Sequence, residues 1–255
     1  MKNFNPEDIV YLHLAETDST NAEVKRQAAA AAPYLVVSTD YQTAGRGQKG
    51  SSWESEKGKN LLFSVMFRPD GIRADRQFRL SQCMALAVTQ ALLPFRGDKR
   101  GAFSIKWPND IYYKEKKLSG TIIETTLRGS MVERCIIGVG VNINQRDFLS
   151  DAPNPVSLCQ IVRHEVDKDI ILSQVMDNFI SNLHLLKTDE DCLASRYTDN
   201  LIWRHGLHRY CDTAGEFDAE LVDVAPDGCL TLRDTDGWNR SYYFKEVRHV
   251  FKNEI

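Results

Sequence analysis

The order of hydrophobic and polar positions divides the first two thirds of the chain into predicted strands and helices. A continuous apolar run at residues 61–67 is typical of a strand buried on both faces, and the helical period of residues 78–93 ends at Pro94. An alanine-rich segment, residues 24–32, predicts another helix, preceded by the candidate cap Asp18-Ser19-Thr20-Asn21. Further strands are predicted at residues 35–41, 104–107, 118–127 and 132–141, and further helices at residues 170–186 and 191–197.

The pattern changes after Gly206, where short apolar stretches alternate with turn signals. Three short strands are predicted there, at residues 217–222, 229–232 and 241–244. The turns between them are Pro226-Asp227-Gly228 and Asp236-Gly237. A β-barrel of about 45 residues is too small to be an enzyme alone. The sequence therefore predicts a catalytic domain, residues 1–204, and a small β-barrel domain, residues 205–255.

A glycine-rich segment follows the strand predicted at residues 35–41. Its sequence, Gly45-Arg46-Gly47-Gln48-Lys49-Gly50, matches the G-x-G-x-x-G dinucleotide fingerprint. That fingerprint needs a helix that opens within it, and residues 51–60 have no apolar helical period. It is not a P-loop either, because Ser51 stands where that motif has a lysine. What remains is a flexible cationic loop that can close over an anionic ligand with backbone N–H groups and one arginine.

Four other segments carry polar residues or glycines suited to a site, and each also has a purely structural interpretation. Lys106-Trp107-Pro108-Asn109-Asp110 directly follows a strand, where ligand-binding loops are common, but Asn-Asp is also ordinary turn chemistry. Lys117-Leu118-Ser119-Gly120 is either a site or a charged hairpin tip. Asp18-Ser19-Thr20-Asn21 is either a site or a helix cap. The glycines of Gly138-Val139-Gly140-Val141-Asn142 indicate a close approach of a ligand or another backbone.

Charge and composition narrow the class of protein. A net charge of −3 over 255 residues argues against a protein built mainly to bind nucleic acid. We find no signal peptide at the start and no apolar segment of membrane-spanning length. The six cysteines are scattered without a C-x-x-C pair, so we expect free thiols in a reducing cytoplasm. His205, His208 and Cys211 are spaced three apart, but Gly206 and the nearby strand pattern argue against a zinc site.

Taken in order, these blocks resemble the biotin protein ligases. The matching residues are Asp18-Ser19-Thr20-Asn21, Gln42-Thr43-Ala44-Gly45-Arg46-Gly47 with Trp53, Lys106-Trp107-Pro108-Asn109-Asp110, Lys117-Leu118-Ser119-Gly120 and Gly138-Val139-Gly140-Val141-Asn142. The resemblance is strong over roughly residues 10–145 and covers the C-terminal segment in layout only. It implies an α+β fold of the class II synthetase type. The expected architecture is a mixed, mostly antiparallel sheet with helices on one side, followed by an SH3-like barrel.

The resemblance also implies the reaction. Biotin and ATP with Mg²⁺ would give biotinyl-5′-adenylate and pyrophosphate, and a lysine of a biotin carboxyl carrier protein would then take the biotin and release AMP. Lys117 and Arg46 would be the catalytic residues, because cations must neutralise the approach of a carboxylate to the α-phosphate. Closure of the glycine loop over the adenylate would exclude the water that hydrolyses it.

The other site residues implied by the resemblance fall into two groups. Those expected to bind biotin are Ser19, Thr20, Asn21, Gln42, Gly45, Arg46, Gly47, Gln48, Trp53, Lys117 and Gly120. Those expected to bind ATP are Arg46, Lys106, Asn109, Asp110, Gly138, Gly140 and Asn142, with Asp110 as the Mg²⁺ contact.

The chain departs from the family pattern in three places. Gln48 and Ser51 stand where relatives often have basic residues, which predicts a weaker hold on the adenylate. The Ser-Thr-Asn block starts at Ser19, so we expect no DNA-binding domain before it, no repressor activity and no binding to nucleic acid or membrane. In the C-terminal segment, Arg248 is better interpreted as surface charge than as a nucleotide contact. Relatives often pair sheets edge to edge, which predicts a homodimer.

Other functions stay open at this point. A lipoate or octanoate ligase resembles the biotin ligases in fold and in adenylate chemistry, although the Gly-Arg-Gly loop together with Lys106-Trp107-Pro108-Asn109-Asp110 favours biotin. A non-catalytic sensor of biotinyl adenylate would bind ligand without releasing pyrophosphate. A plain α/β interaction domain would require five coincidental matches in order.

Overall fold

A seven-stranded sheet forms the centre of the computed structural model, which describes residues 8–27, 32–47, 52–95, 103–149 and 154–251. Its strands are β1 (Ile9–Leu14), β2 (Tyr34–Thr39), β3 (Leu61–Phe67), β4 (Phe103–Lys106), β5 (Asp110–Tyr113), β6 (Lys116–Arg128) and β7 (Met131–Val141). Their order across the sheet is β1-β2-β3-β7-β6-β5-β4. β1 pairs with β2 in parallel and the other neighbours pair antiparallel, so the expected mixed, mostly antiparallel sheet is confirmed.

Helices cover both faces of this sheet, unequally. The helices are α1 (Thr20–Arg26), α2 (Phe78–Leu92), α3 (Leu158–Val162), α4 (Lys168–Thr188) and α5 (Glu190–Asp199). α2 packs against α4 and α5, and together with the sheet they bury the main hydrophobic core.

The short helix α1 departs from the expectation that all helices lie on one side. Val24 of α1 packs with Leu35, Val37 and Met66 in a separate small cluster. Val36, the residue between Leu35 and Val37, belongs to the main core. Since neighbouring side chains of a strand point to opposite faces, α1 lies on the face of the sheet away from α2. β3 is buried along its whole length because apolar groups cover it from both sides.

A β-bulge in β6 decides which face receives Lys117. β5 and β6 pair Ile111 with Ser119 and then Tyr112 with Lys117, so Leu118 has no counterpart on β5. Leu118 and Ser119 are both fully buried, which breaks the alternation of faces at this point. If side chains alternated strictly along β6, Lys117 would point to the same buried face as Ser119. Because of the bulge, the Lys117 side chain instead lies beside Gly120.

A second, five-stranded antiparallel sheet occupies the C-terminal part, as expected for a small β domain. Its strands are β8 (His208–Asp212), β9 (Gly215–Val224), β10 (Leu230–Asp234), β11 (Asn239–Tyr242) and β12 (Arg248–His249). Tyr210 and Leu232 belong to the same hydrophobic core as Ile105 of the large sheet. The two sheets are therefore joined by a continuous interior, and the domain boundary at residues 204/205 stays a prediction.

Three smaller expectations can be compared with the described residues. All six cysteines are free thiols there, and Cys83 and Cys135 are buried in the core. His208 and Cys211 lie on a strand rather than on a helix, and no cluster of described side chains could hold a metal ion. No helix in the described ranges has the length and apolar character needed to cross a bilayer.

Candidate active site

A cavity of about 220 Å³ opens on the face of the large sheet that carries α1. Its walls come from α1, from the glycine loop and from the adjacent strands β6 and β7. Most of the residues predicted from the sequence line it: Ser19, Thr20, Asn21, Gln42, Arg46, Gly47, Trp53, Asp110, Lys117, Gly120, Gly138 and Gly140. Motifs as far apart in the sequence as Ser19 and Gly140 therefore meet in one place.

The wall formed by α1 is a polar network. The backbone N–H of Thr20 donates to Oε1 of Gln42 at 2.8 Å. The hydroxyl of Ser64 lies 2.7 Å from that of Thr20 and 2.5 Å from the amide oxygen of Asn21. The amide nitrogen of Asn21 donates to Glu124 at 2.8 Å, and Lys25 forms an ion pair with the same carboxylate. This wall offers hydroxyl and amide groups to a ligand and ends in the ion pair of Lys25 and Glu124.

The electrostatics of that outer end favour an ionised carboxylate. Burial alone would raise the pKa of Glu124, but hydrogen bonds from Lys25 and Asn21 and the charge of Arg46 outweigh it, so the pKa is lowered from its ordinary value. Glu124 is therefore a hydrogen-bond acceptor at neutral pH.

The opposite end of the cavity is cationic. Nζ of Lys117 lies 2.7 Å from a carboxylate oxygen of Asp110, and both side chains are partly exposed. The same ammonium lies 5.9 Å from the centroid of the Trp53 ring. Arg46 also faces the cavity, on the glycine loop. An anionic ligand group arriving here would find the ammonium of Lys117 and could displace the carboxylate of Asp110 from it.

Two glycines on adjacent strands make room for the Trp53 indole. Gly120 of β6 pairs with Gly140 of β7, and a Cβ atom at Gly140 would lie 2.5 Å from the indole ring. A Cβ atom at Gly120 would lie 2.9 Å from the same ring. The loop that carries Trp53 is held by a hydrogen bond from its backbone N–H to the carbonyl of Gly45. Trp53 thus lines the cavity with its indole ring, whose N–H has no hydrogen-bond partner among the described residues. Its role as an apolar wall for biotin stays a prediction.

Several predicted residues lie away from the cavity lining. The ammonium of Lys106 lies over the rings of Tyr112 and Phe251, 5.2 and 5.4 Å from their centroids. Asn109 is buried and donates to the hydroxyl of Ser81. Asn142 is also buried and donates to a backbone carbonyl. Gly45 lies against the backbone of Trp53 and the side chain of Gln42. Gln48 lies outside the described residues.

Buried oxygen atoms distinguish the two asparagines from simple packing residues. The amide oxygens of Asn109 and Asn142 are buried without a hydrogen-bond partner in the described part of the chain. Such groups cost free energy unless a partner satisfies them. Their assignment to the ATP side stays a prediction.

Asp110 can supply one oxygen ligand to a magnesium ion. Mg²⁺ that accompanies ATP commonly uses one or two protein carboxylates and takes its other ligands from phosphates and water. A single carboxylate at the cationic end of the cavity fits that pattern, and Lys117 competes for it in the arrangement seen here.

The sequence analysis missed a further set of residues in the cavity lining. These are Ala22, Lys25, Thr121, Ile122, Glu124 and Val139. A signal for two of them was present, because Ile122 and Glu124 follow Gly120 at alternate positions of one strand and so share its face. Lys25 follows Asn21 by one helical turn, which places both side chains on the same side of α1.

Comparison with known proteins identifies the family. The Biotin/lipoate A/B protein ligase family matches residues 14–142. This chain belongs to that family, and the resemblance predicted from the sequence blocks is confirmed.

Three relatives are named as ligases, two of them for biotin. The Bifunctional ligase/repressor BirA of Bacillus subtilis is 28% identical over 239 residues, which cover 90% of this chain and 70% of that protein. The Biotin--[acetyl-CoA-carboxylase] ligase of Paracoccus denitrificans is 33% identical over 170 residues, which cover 65% of this chain and 70% of that protein. The structure of the biotin protein ligase from Aquifex aeolicus in complex with biotin and ATP superposes with a TM-score of 0.76 at 24% identity, over 95% of this chain and 99% of that one.

Proposed function

We propose that this chain activates biotin with ATP to biotinyl-5′-adenylate and transfers the biotin to a lysine of a biotin carboxyl carrier protein. The observation that carries the proposal is the polarity of the cavity. Hydroxyl and amide groups line one wall, Lys117 lies at the other end, and Arg46 adds a second cation to the lining. Biotin has the matching order of groups: a ureido ring, a hydrocarbon chain and a carboxylate.

The polar wall favours biotin over lipoate. Thr20, Asn21 and Gln42 present buried or half-buried hydrogen-bonding groups to the cavity. A ureido ring can pair with such groups, whereas the dithiolane ring of lipoate would leave them unsatisfied at a cost of about 1–3 kcal/mol each. Sites built for hydrogen bonding reject analogues that lack the partner atoms.

The cationic end would serve the chemical step. Attack of the biotin carboxylate on the α-phosphate brings two anions together, and the ammonium of Lys117 and the guanidinium of Arg46 can lower the electrostatic barrier. Asp110, which pairs with Lys117 at 2.7 Å, would hold the ammonium in place before the ligand arrives. Mg²⁺ bound with ATP would neutralise further phosphate charge, with Asp110 as its protein contact.

The loop between Gly45 and Trp53 would close the cavity. Trp53 already lies on Gly120 and Gly140, and the antiparallel bridge between Arg46 and Ser52 brings the two described ends of the loop together. In this position the indole would cover the hydrocarbon chain of biotin and keep water from the mixed anhydride. Arg46→Gly should accordingly release more free adenylate, and an unchanged ratio of released to transferred adenylate would contradict the role of the loop as a lid.

Assembly and location follow as further proposals. The relative from Paracoccus is named for acetyl-CoA carboxylase, whose biotin carrier is the type of partner we propose. A homodimer through paired sheet edges, a cytoplasmic location and the absence of DNA binding stay predictions. Specific, salt-resistant binding to a promoter fragment would contradict the last of these.

The test is pyrophosphate release from ATP and Mg²⁺, with biotin and lipoate in parallel reactions and no carrier protein. We expect release with biotin alone. Release with lipoate alone would assign the chain to the lipoate branch of its family, and ligand binding without release from either acid would indicate a sensor.

A further inference from the structure

We propose that Glu124 is a positioning residue that fixes the orientation of Asn21 and, through it, of the Ser64 hydroxyl that supports Thr20 in the polar wall facing the ureido ring. This inference deepens the proposed function and rests on it. Glu124 lies on β6, four residues after the last glycine of the Lys117-Leu118-Ser119-Gly120 block, and its carboxylate contacts the wall through Asn21.

The direction of the first bond follows from the chemistry of the carboxylate. An ionised carboxylate can only accept, so Asn21 must turn its amide nitrogen toward Glu124, 2.8 Å away. Its amide oxygen then faces Ser64, whose hydroxyl oxygen is 2.5 Å distant. Lys25 pairs with the other carboxylate oxygen and keeps Glu124 in this position.

The next bonds are determined in turn. An amide oxygen cannot donate, so the Ser64 hydroxyl must donate to Asn21, and it shares its proton with the Thr20 oxygen, 2.7 Å away. Thr20 donates its own proton to Oε1 of Gln42 at 3.2 Å. The oxygen of Thr20 keeps one lone pair and can accept from a ligand.

Gln42 completes the pattern with the opposite polarity. Its amide oxygen accepts the backbone N–H of Thr20 at 2.8 Å, which leaves its amide nitrogen as the group that can donate. A cyclic urea needs this combination, because its N–H groups donate and its carbonyl accepts. The position of the Thr20 hydroxyl depends on Glu124 through Asn21 and Ser64, whereas the donor at Gln42 depends on the backbone of α1.

Close packing prevents the network from rearranging without cost. A Cβ atom at Gly138 would overlap the amide oxygen of Asn21, so this oxygen already fills the space above β7. Ser64 is fully buried on β3 and cannot exchange its partner for water. If Asn21 reversed its amide, its nitrogen would face Ser64 and its oxygen would face Glu124. Two acceptors would then meet.

The test exchanges the carboxylate and the amide between the two positions. Glu124→Gln removes the group that orients Asn21, and we expect the Kd for biotin, measured by titration calorimetry, to rise about tenfold. Asn21→Asp places a second carboxylate beside Glu124, and we expect a similar rise. In the double variant Asn21→Asp/Glu124→Gln, the new amide can donate to the new carboxylate, which still accepts from Ser64. We expect the double variant to recover a Kd within about threefold of the wild type, because the direction of the network is restored.

Controls separate positioning from general stability and charge. Glu133→Gln removes an exposed carboxylate from β7 and should leave the Kd unchanged. For Glu124→Gln we expect a raised KM for biotin, with the KM for ATP and the kcat at saturating biotin unchanged. A lower melting temperature without a change in Kd, or a double variant no better than the single variants, would overturn the inference. Absence of biotin binding by the wild type would instead refute the proposed function, and this inference with it.

Discussion

Lys106 and Lys117 flank the same short strand, β5, yet they have different surroundings. Lys117 faces the cavity, is partly exposed and pairs with Asp110 at 2.7 Å. Lys106 faces the junction with the C-terminal sheet, where its ammonium lies about as far from the Tyr112 ring as from the Phe251 ring, at 5.2 and 5.4 Å. One lysine is held by a carboxylate that a ligand can displace, and the other by two aromatic rings.

The difference shows how two motifs with similar residue types can serve different purposes. The cavity side is polar, open and built from groups with unused hydrogen-bonding capacity. The junction contains the rings of Trp203, Tyr210, His249 and Phe251, packed with centroid separations of 5.1 to 6.2 Å. Substitutions on the cavity side should therefore affect catalysis, and those at the junction should affect stability.

The largest effect is expected for Lys117→Ala. Loss of the ammonium removes a cation from the site of charge development, so the rate of biotin-dependent pyrophosphate release should fall at least about 100-fold. The fold should survive, because the lysine side chain is partly exposed and contributes little to the core. Lys116→Ala, at the exposed neighbouring position, is the matched control and should keep normal activity. Normal turnover by Lys117→Ala would show that the site has been assigned wrongly.

A smaller effect is expected for Gly140→Ala. The added methyl group would lie 2.5 Å from the Trp53 indole, so the ring must leave its position over β7. We expect the KM for biotin to rise about tenfold, equivalent to about 1.4 kcal/mol, while the unfolding temperature stays close to that of the wild type. A KM equal to that of the wild type would show that the position of the Trp53 ring does not matter for binding.

At the junction, His249 should make stability depend on pH. Burial, with the nearby charge of Lys106 as a smaller cause, lowers the pKa of His249 to about 3. Above about pH 6.5 the imidazole is neutral in both states and has no effect. Between pH 6.5 and 3 the unfolded chain binds a proton that the folded chain does not, so stability falls as the pH falls, by about 1.4 kcal/mol per pH unit.

The variant His249→Phe isolates this contribution. Urea unfolding at pH 6.5 and 5.5 should show a smaller loss of stability on acidification than the wild type shows. His164→Phe, at an exposed position, should keep the wild-type dependence. Equal losses for His249→Phe and the wild type would mean that the buried imidazole is not the group that titrates.

The smallest effect is expected for Lys106→Met. The variant keeps the length of the side chain and removes its charge, so the free energy of unfolding should fall by about 0.5–1 kcal/mol per lost ring contact. The same variant tests the ATP-binding role predicted from the sequence. A raised KM for ATP would support that role, whereas an unchanged KM would leave Lys106 as a residue of the junction.

The sequence predicted the strongly patterned elements well. β3 is found at Leu61–Phe67 as predicted, and α2 ends at Leu92, one residue before the predicted end. β1, β5, β8, β12 and α3 were missed, because each has only two to six residues and so shows no clear period. β5 begins at Asp110, within a segment interpreted as a loop, because turn-forming residues such as Asn and Asp hide the pairing that follows.

For the site, the sequence could identify the motifs but not the face of the sheet to which each of their side chains points. Lys117 and Gly120 were predicted together, and the bulge at Leu118 that places them on one face was not visible in the residue pattern. Lys106, Asn109 and Asn142 were assigned to the nucleotide through the family resemblance; their side chains lie away from the described cavity lining, and the assignment stays a prediction. Alternation along a strand sends neighbours to opposite faces, so members of one block need not reach the same site.

Lys117 and Glu124, at the two ends of the cavity, belong to the same strand, so the length of β6 between them sets the length of the ligand that fits. The strand rises about 3.3 Å per residue, so Gly120 and Glu124 are about 13 Å apart along it. Removing one residue between them would turn the Glu124 side chain to the opposite face of the sheet, the face that α2 and α4 cover. Removing two would restore its direction but shorten the cavity by about 7 Å. The length of acid that can span from the polar wall to the ammonium is thus encoded in the covalent length of the backbone, which side-chain substitutions alone cannot change.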